Sequence, residues 1–252
     1  MRARLYDGPW SSREGLLVLI AFALAYTACT AAHMAIVKHT VGMEAYLGDG
    51  PRLPPALLIT SQWIKAVVLL GVLALLALHR KRLGWAALGF VRAAPRWYVW
   101  AVVFALGGFV LRLGLAKALV VALPDWLRHA ASPYAWGDAT WPQMMLLLGT
   151  TIVVTPLAEE AFFRGFLFRW MATKHPLWLA VVASSAMFGA SHIVPAQAIS
   201  AAVMSLLIIL LYVCSRSIWP CIVCHALNNA LGVGLGMAAV AGRLPAWLTP
   251  PH

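Results

Sequence analysis

Charge is what this sequence has least of. Of its 252 residues only 11% are charged while 62% are hydrophobic, against about 25% charged in an average soluble domain. Too little polar surface exists to cover a core of this size in water, which excludes a soluble fold. The composition predicts an all-α, polytopic transmembrane helical bundle. Acidic residues are scarcer still, 8 against 19 Lys and Arg. The formal charge of +11 fits loops on the cytoplasmic side, which collect basic residues, so no nucleic-acid partner is expected. Cysteine is rare, and Cys29, Cys214, Cys221 and Cys224 all fall in apolar segments. The C-x-x-C at Cys221 and Cys224 has redox or metal potential. Its plainer reading is two small apolar residues one helical turn apart. Internal repeats, low-complexity tracts and a separate soluble domain are also lacking, so residues 1–252 read as one membrane domain. The first apolar run, 15–37, has no small-residue cleavage site and exceeds a signal-peptide core, which predicts a retained first span.

A span needs about 20 apolar residues. Seven segments qualify: 15–37, 55–78, 99–123, 144–171, 177–194, 196–214 and 218–240. The fourth is long enough to hide a break and the fifth is short, so six to eight crossings fit. Basic residues alternate with the loops. Arg2, Arg4 and Arg13 precede the first span, and Arg80, Lys81, Arg82, Arg92 and Arg96 follow the second. Arg164, Arg169 and Lys174 gather near the end of the fourth, and Arg216 separates the last two. The intervening loops 38–54 and 124–142 carry Glu44, Asp49, Asp125 and Asp138 with few bases. This pattern predicts a cytoplasmic N-terminus. Tryptophans such as Trp97, Trp100, Trp141, Trp178 and Trp219 mark segment ends as an interfacial belt. Lys65, Arg112 and Lys117 lie within spans; Lys117 has the reach to snorkel, whereas Lys65 and Arg112 are deeper and read as structural partners of other polar groups.

The fourth segment holds the exception to the shortage of charge, Glu159 and Glu160 followed by Arg164 and Arg169. Each charge costs roughly 2.5–3.5 kcal/mol at membrane depth on insertion scales, so a cluster of them points to function. Glu160 and Arg164 are i,i+4 with the acid first, the favourable order for an intrahelical ion pair. Glu159 is turned about 100° away, faces Phe163 at i+4, and has no local partner. In the fifth segment, the stretch from Phe188 to His192 brings the next polar residues, Ser191 and His192. Glu159 lies 17 residues before Pro176 and His192 lies 16 after it. In antiparallel helices joined by the Lys174–Pro176 hairpin, the two reach one depth. The last segment places His225 and Asn229 on one face, with Asn228 pointing elsewhere and Gly232, Gly234 and Gly236 allowing close packing.

One carboxylate, two imidazoles and a carboxamide can activate water for amide hydrolysis. A Glu–His pair serves as general base, and a second His with an Asn donates hydrogen bonds to a developing oxyanion. No serine or cysteine nucleophile is required, although Ser184, Ser185 and Ser191 are near. The same Glu159, His192 and His225 could instead hold zinc with an open fourth position. There is no H-E-x-x-H, and each ligand would come from a different helix. Spacing alone leaves both uses open, with no cofactor as the first expectation.

The motifs E-E-x-x-x-R at 159–164, F-x-x-x-H at 188–192 and H-x-x-x-N at 225–229 occur in that order on successive helices. With Phe163, Arg164 and Gly165, this pattern resembles the CPBP family of intramembrane proteases, which includes the CaaX prenyl endopeptidases and the bacteriocin-related Abi proteins. The resemblance covers roughly residues 140–240, the expected catalytic core. It implies that Glu159 and His192 activate water, that His225 and Asn229 form the oxyanion site, and that the mechanism is glutamate-type, although the family was long labelled metalloprotease. Glu160, Arg164 and Phe188 are then structural support. The implied partners are the lipid bilayer and a membrane protein or peptide substrate. Short loops and the lack of extensions look bacterial, which implies an inner-membrane location. A rival of another class is a non-catalytic membrane immunity or partner protein of the same fold. A transporter would show two related halves with broken helices, and no such symmetry is present.

The loop charges generate a direct test. Reporter fusions between Arg80 and Arg96 should read as cytoplasmic, and fusions within 38–54 should read on the opposite side.

Overall fold

The computed structural model describes residues 8–43, 53–122, 139–192 and 195–243. Among the described residues every regular element is helical. The helices are α1 (Ser12–Thr40), α2 (Pro55–Lys81), α3 (Arg96–Ala122), α4 (Trp141–Lys174), α5 (Leu177–Ala190), α6 (Pro195–Ser215) and α7 (Ile218–Val240). All but α5 are long and apolar enough to cross a membrane. The chain is a multi-pass membrane protein with the expected helical-bundle architecture. Glu44, Asp49, Asp125 and Asp138, together with Arg2 and Arg4, lie outside the described residues, as does the side chain of Lys117.

Local chemistry sets the helix ends. Ser11 and Glu14 form a capping box at α1, and Glu14 also binds Lys81 of α2 at 2.9 Å. Thr140 and Gln143 repeat the box at α4, satisfying amide donors that have no partner within the helix. Pro55 starts α2 at a position where its missing N–H is harmless. The α4–α5 hairpin turns at His175, which is extended at φ −126° and ψ 163°, as the residue before a proline prefers.

Two expectations change. The fifth segment, read as 177–194, is helical over the 14 residues of α5 and leaves the helix at Ser191, while 193 and 194 lie outside the described residues. That length spans about 21 Å, short of the roughly 30 Å hydrocarbon core, so α5 ends at depth, with His192 just beyond it. The long fourth segment contains no break. It is one helix of 34 residues that changes its winding, with π-helical turns at Thr150–Val154 and Ala161–Phe168. In the first of these, the Thr155 amide reaches back to the Thr150 carbonyl. Pro156, next in line, has no N–H to give. The Thr151 carbonyl is thus deprived of both its i+4 and its i+5 backbone donors.

α4 is the axis of the bundle. In its most apolar stretch 56% is buried, against 11–33% for the other five long helices. α2 runs beside it in the same direction, since Gln62 meets Thr151 and Lys65 meets Glu159 further along both helices. Phe162, Phe166, Leu167 and Phe168 are fully buried in the core. Trp10 caps this layer edge-on to Phe166 at 5.0 Å, its indole donating to the Ala77 carbonyl at 2.9 Å. Cys221 and Cys224 are buried and unpaired, with Cys221 donating weakly to the Ile208 and Ser217 carbonyls. Trp141 and Trp178 are among the most exposed aromatics, as an interfacial belt requires.

Gly165 lets the loop before α3 touch α4. A Cβ there would stand 2.6 Å from the Leu88 carbonyl oxygen and 3.0 Å from the Leu88 Cβ, and backbone cannot swing aside. Gly165→Ala should therefore lose about 1–3 kcal/mol, read as a lower unfolding midpoint in detergent micelles. Gly149→Ala, with nothing within 4 Å, should lose nothing.

Candidate active site

The second π turn of α4 begins at Ala161, so both acids sit on the α-helical stretch between the two widened turns, and both are buried. They do not share an environment. Glu160 Oε1 accepts from Arg164 Nη1 at 2.9 Å and pairs with His225 Nδ1 at 2.8 Å. Arg164 continues to Ser205 Oγ on α6 at 2.9 Å, and that hydroxyl donates to Ser185 Oγ on α5 at 3.1 Å. Its guanidinium also lies 4.6 Å over the Phe188 ring. The expected i,i+4 pair is present, and it ties four helices together.

Glu159 divides its two oxygens. Oε1 meets Lys65 Nζ of α2 at 2.5 Å, and Oε2 lies 3.6 Å from His225 Nε2. The latter exceeds a hydrogen bond but is close enough for one water to touch both groups. The expected direct Glu159–His192 pair is not formed. His192 is within electrostatic reach of Glu159, Lys65 and His225, but its Nδ1 lies 3.0 Å from the Phe188 carbonyl of its own helix end. The short α5 brings His192 to the right depth, and Lys65 takes the oxygen that the hairpin count would have left open.

The acceptors fix both imidazole tautomers. A carbonyl only accepts, so His192 Nδ1 carries hydrogen. The arginine-bound carboxylate Glu160 likewise demands hydrogen on His225 Nδ1. Both Nε2 atoms are then free for chemistry. Phe188 holds the rings apart, edge-on to His192 at 5.2 Å and to His225 at 5.8 Å. Asn229 Nδ2 donates to the Thr151 carbonyl at 2.9 Å, the group that the π turn and Pro156 had deprived of backbone donors. That bond uses one amide hydrogen and leaves a second.

Asn228 turns the other way. It donates to the Ala105 carbonyl of α3 at 3.4 Å and accepts from Arg112 Nη1, whose Nε donates to Ser200 at 3.1 Å. Arg112 thus binds α3, α6 and α7 together, as a deep structural cation should. Among the described residues no three His, Cys, Asp or Glu side chains form a group able to hold a metal ion. Lys65 is the residue at the site that motif spacing missed. A lysine at depth signals a counter-ion, but nothing in the sequence says which acid.

With this geometry in hand, residues 141–231 match the family model of the type II CAAX prenyl endopeptidases, Rce1-like. That is a protease family, consistent with the CPBP resemblance. The matched stretch is just over a third of the chain and contains all three motifs. Lys65 and Arg112 lie outside it. No curated protein and no solved structure matches the chain.

Removing one member of a buried pair strands the other. Arg164→Met should cost about 3–5 kcal/mol, measured as loss of folded protein in a denaturant series in micelles. The double variant Arg164→Met, Glu160→Gln should recover part of that loss.

Proposed function

We propose that this protein is an intramembrane endopeptidase, a glutamate-type protease that hydrolyses a membrane-associated protein or peptide. The observation that carries the reading is the arrangement of Glu159 with two imidazoles whose Nε2 atoms are both free. Glu159 Oε2 accepts a proton from water as its oxygen attacks the scissile carbonyl, with His192 Nε2 accepting the water's other hydrogen to orient it. The carbonyl oxygen becomes an oxyanion. Asn229 donates its remaining amide hydrogen to that oxyanion, and His225 adds a second donor once its Nε2 has taken a proton from solvent, the added charge being balanced by Glu160. The C–N bond then breaks as the Glu159 carboxyl returns its proton to the leaving amine.

This route uses no metal. The Lys65 ammonium at 2.5 Å from Glu159 opposes a divalent cation on the same oxygen. We propose that the N-terminus lies in the cytoplasm, in line with the basic loops.

Purified protein in lipid nanodiscs, assayed on a membrane-anchored peptide library, tests the reading. Glu159→Gln should lower cleavage by about 10²–10⁴-fold, and His192→Ala should also impair it severely. Cleavage should persist after strong chelation in samples shown by elemental analysis to hold no zinc. Full activity in Glu159→Gln would sink the proposal, and a phenotype that survives Glu159→Gln would favour a non-catalytic partner.

A further inference from the structure

Lys65 stands outside every motif and outside the family match, yet it makes the shortest contact to Glu159 among the described residues. Its side chain and that of Glu159 are both almost sealed from solvent, at 10% and 2% exposure. The face of α2 that presents it is pinned in place. Gln62, one turn earlier, accepts from Thr151 at 3.0 Å, and Trp63 donates to Thr150 at 3.1 Å. Ala66, Leu69 and Leu73 bury the rest of that face. α2 is thereby clamped along α4, and the lysine has a fixed place beside the acid.

The charges around it explain why the place is filled. Glu160 is matched by Arg164 on its own helix, so Glu159 needs a separate counter-ion to stay charged in an apolar bundle. The division of oxygens adds direction, because an ammonium on Oε1 leaves Oε2 turned toward His225. A lysine suits this better than an arginine, since a compact point charge grips one oxygen where a guanidinium fork would tend to take both.

We propose that Lys65 is the positioning residue of the site, the counter-ion that keeps Glu159 ionised and turns one carboxylate oxygen toward the imidazoles. The proposal rests on Glu159 as the base, but the ionisation can be read without any substrate. The experiment uses infrared spectroscopy of the full chain in nanodiscs. The Glu159 carboxyl signal is identified as the band lost in Glu159→Gln. At neutral pH, wild type should show Glu159 as a carboxylate. Lys65→Met should show a protonated carboxyl band that is missing from the double variant Lys65→Met, Glu159→Gln. Lys65→Arg should restore the carboxylate.

A second readout follows the acid limb of the cleavage rate. With the ammonium gone the carboxylate binds protons more tightly, so in Lys65→Met the limb should move to higher pH by about one unit or more, a tenfold change in proton affinity. A Glu159 carboxylate in Lys65→Met with the same titration midpoint as wild type would overturn the proposal, whatever the activity. So would reduced cleavage with an unmoved acid limb, which marks a packing role alone. If Lys65→Met fails to fold, Lys65→Gln and the double variant take its place, and a Lys65→Gln titration identical to wild type overturns the proposal equally. If no peptide is cleaved by wild type, the reading as a peptidase fails while the spectra still decide the role of Lys65.

Discussion

Everything in this protein depends on neutralising two adjacent carboxylates inside an apolar bundle. Glu159 and Glu160 are consecutive on one helix and both are buried. Like charges this close are tolerated only with matched cations, and two are supplied from different directions. Arg164 comes from the next turn of the same helix and Lys65 from a neighbouring one. With neutral imidazoles the cluster carries no net charge. A buried pair often stabilises no more than apolar residues would, so stability alone does not account for these charges.

The bundle is arranged to deliver those partners. α4 sits at the centre and its π turns widen the helix on both sides of the acids. One of these turns, with Pro156, also frees the Thr151 carbonyl, which Asn229 then binds. A backbone irregularity and a polar side chain on another helix answer each other, a recurrent use of π turns at functional sites. α5 contributes through being short. By ending within the bundle it places His192 at depth on a helix terminus, where its Nδ1 can reach the carbonyl of Phe188.

Phe188 joins the Arg164 ion pair to the two histidines. One ring touches Arg164, Phe163, His192 and His225. It separates the two imidazoles and covers the arginine, so displacement of the structural ion pair would be felt at both histidines. The second polar network, Arg112 with Asn228 and Ser200, does comparable work between α3, α6 and α7 without touching the acids.

The sequence alone determined much of this. Scarcity of charge set the membrane, apolar run lengths set the helices, and i,i+4 spacing set the Glu160–Arg164 and His225–Asn229 faces. All follow from local rules, because a helix satisfies its own backbone and its periodicity is written in the chain. Tertiary structure decided which helix met Glu159. Lys65 is 94 residues away, and no local rule connects them. The hairpin count brought His192 to the right depth but not into contact, since depth fixes one coordinate and rotation about the helix axis fixes another. That rotation follows the π turns and the place where α5 stops, neither of which is marked by the apolar periodicity of the chain.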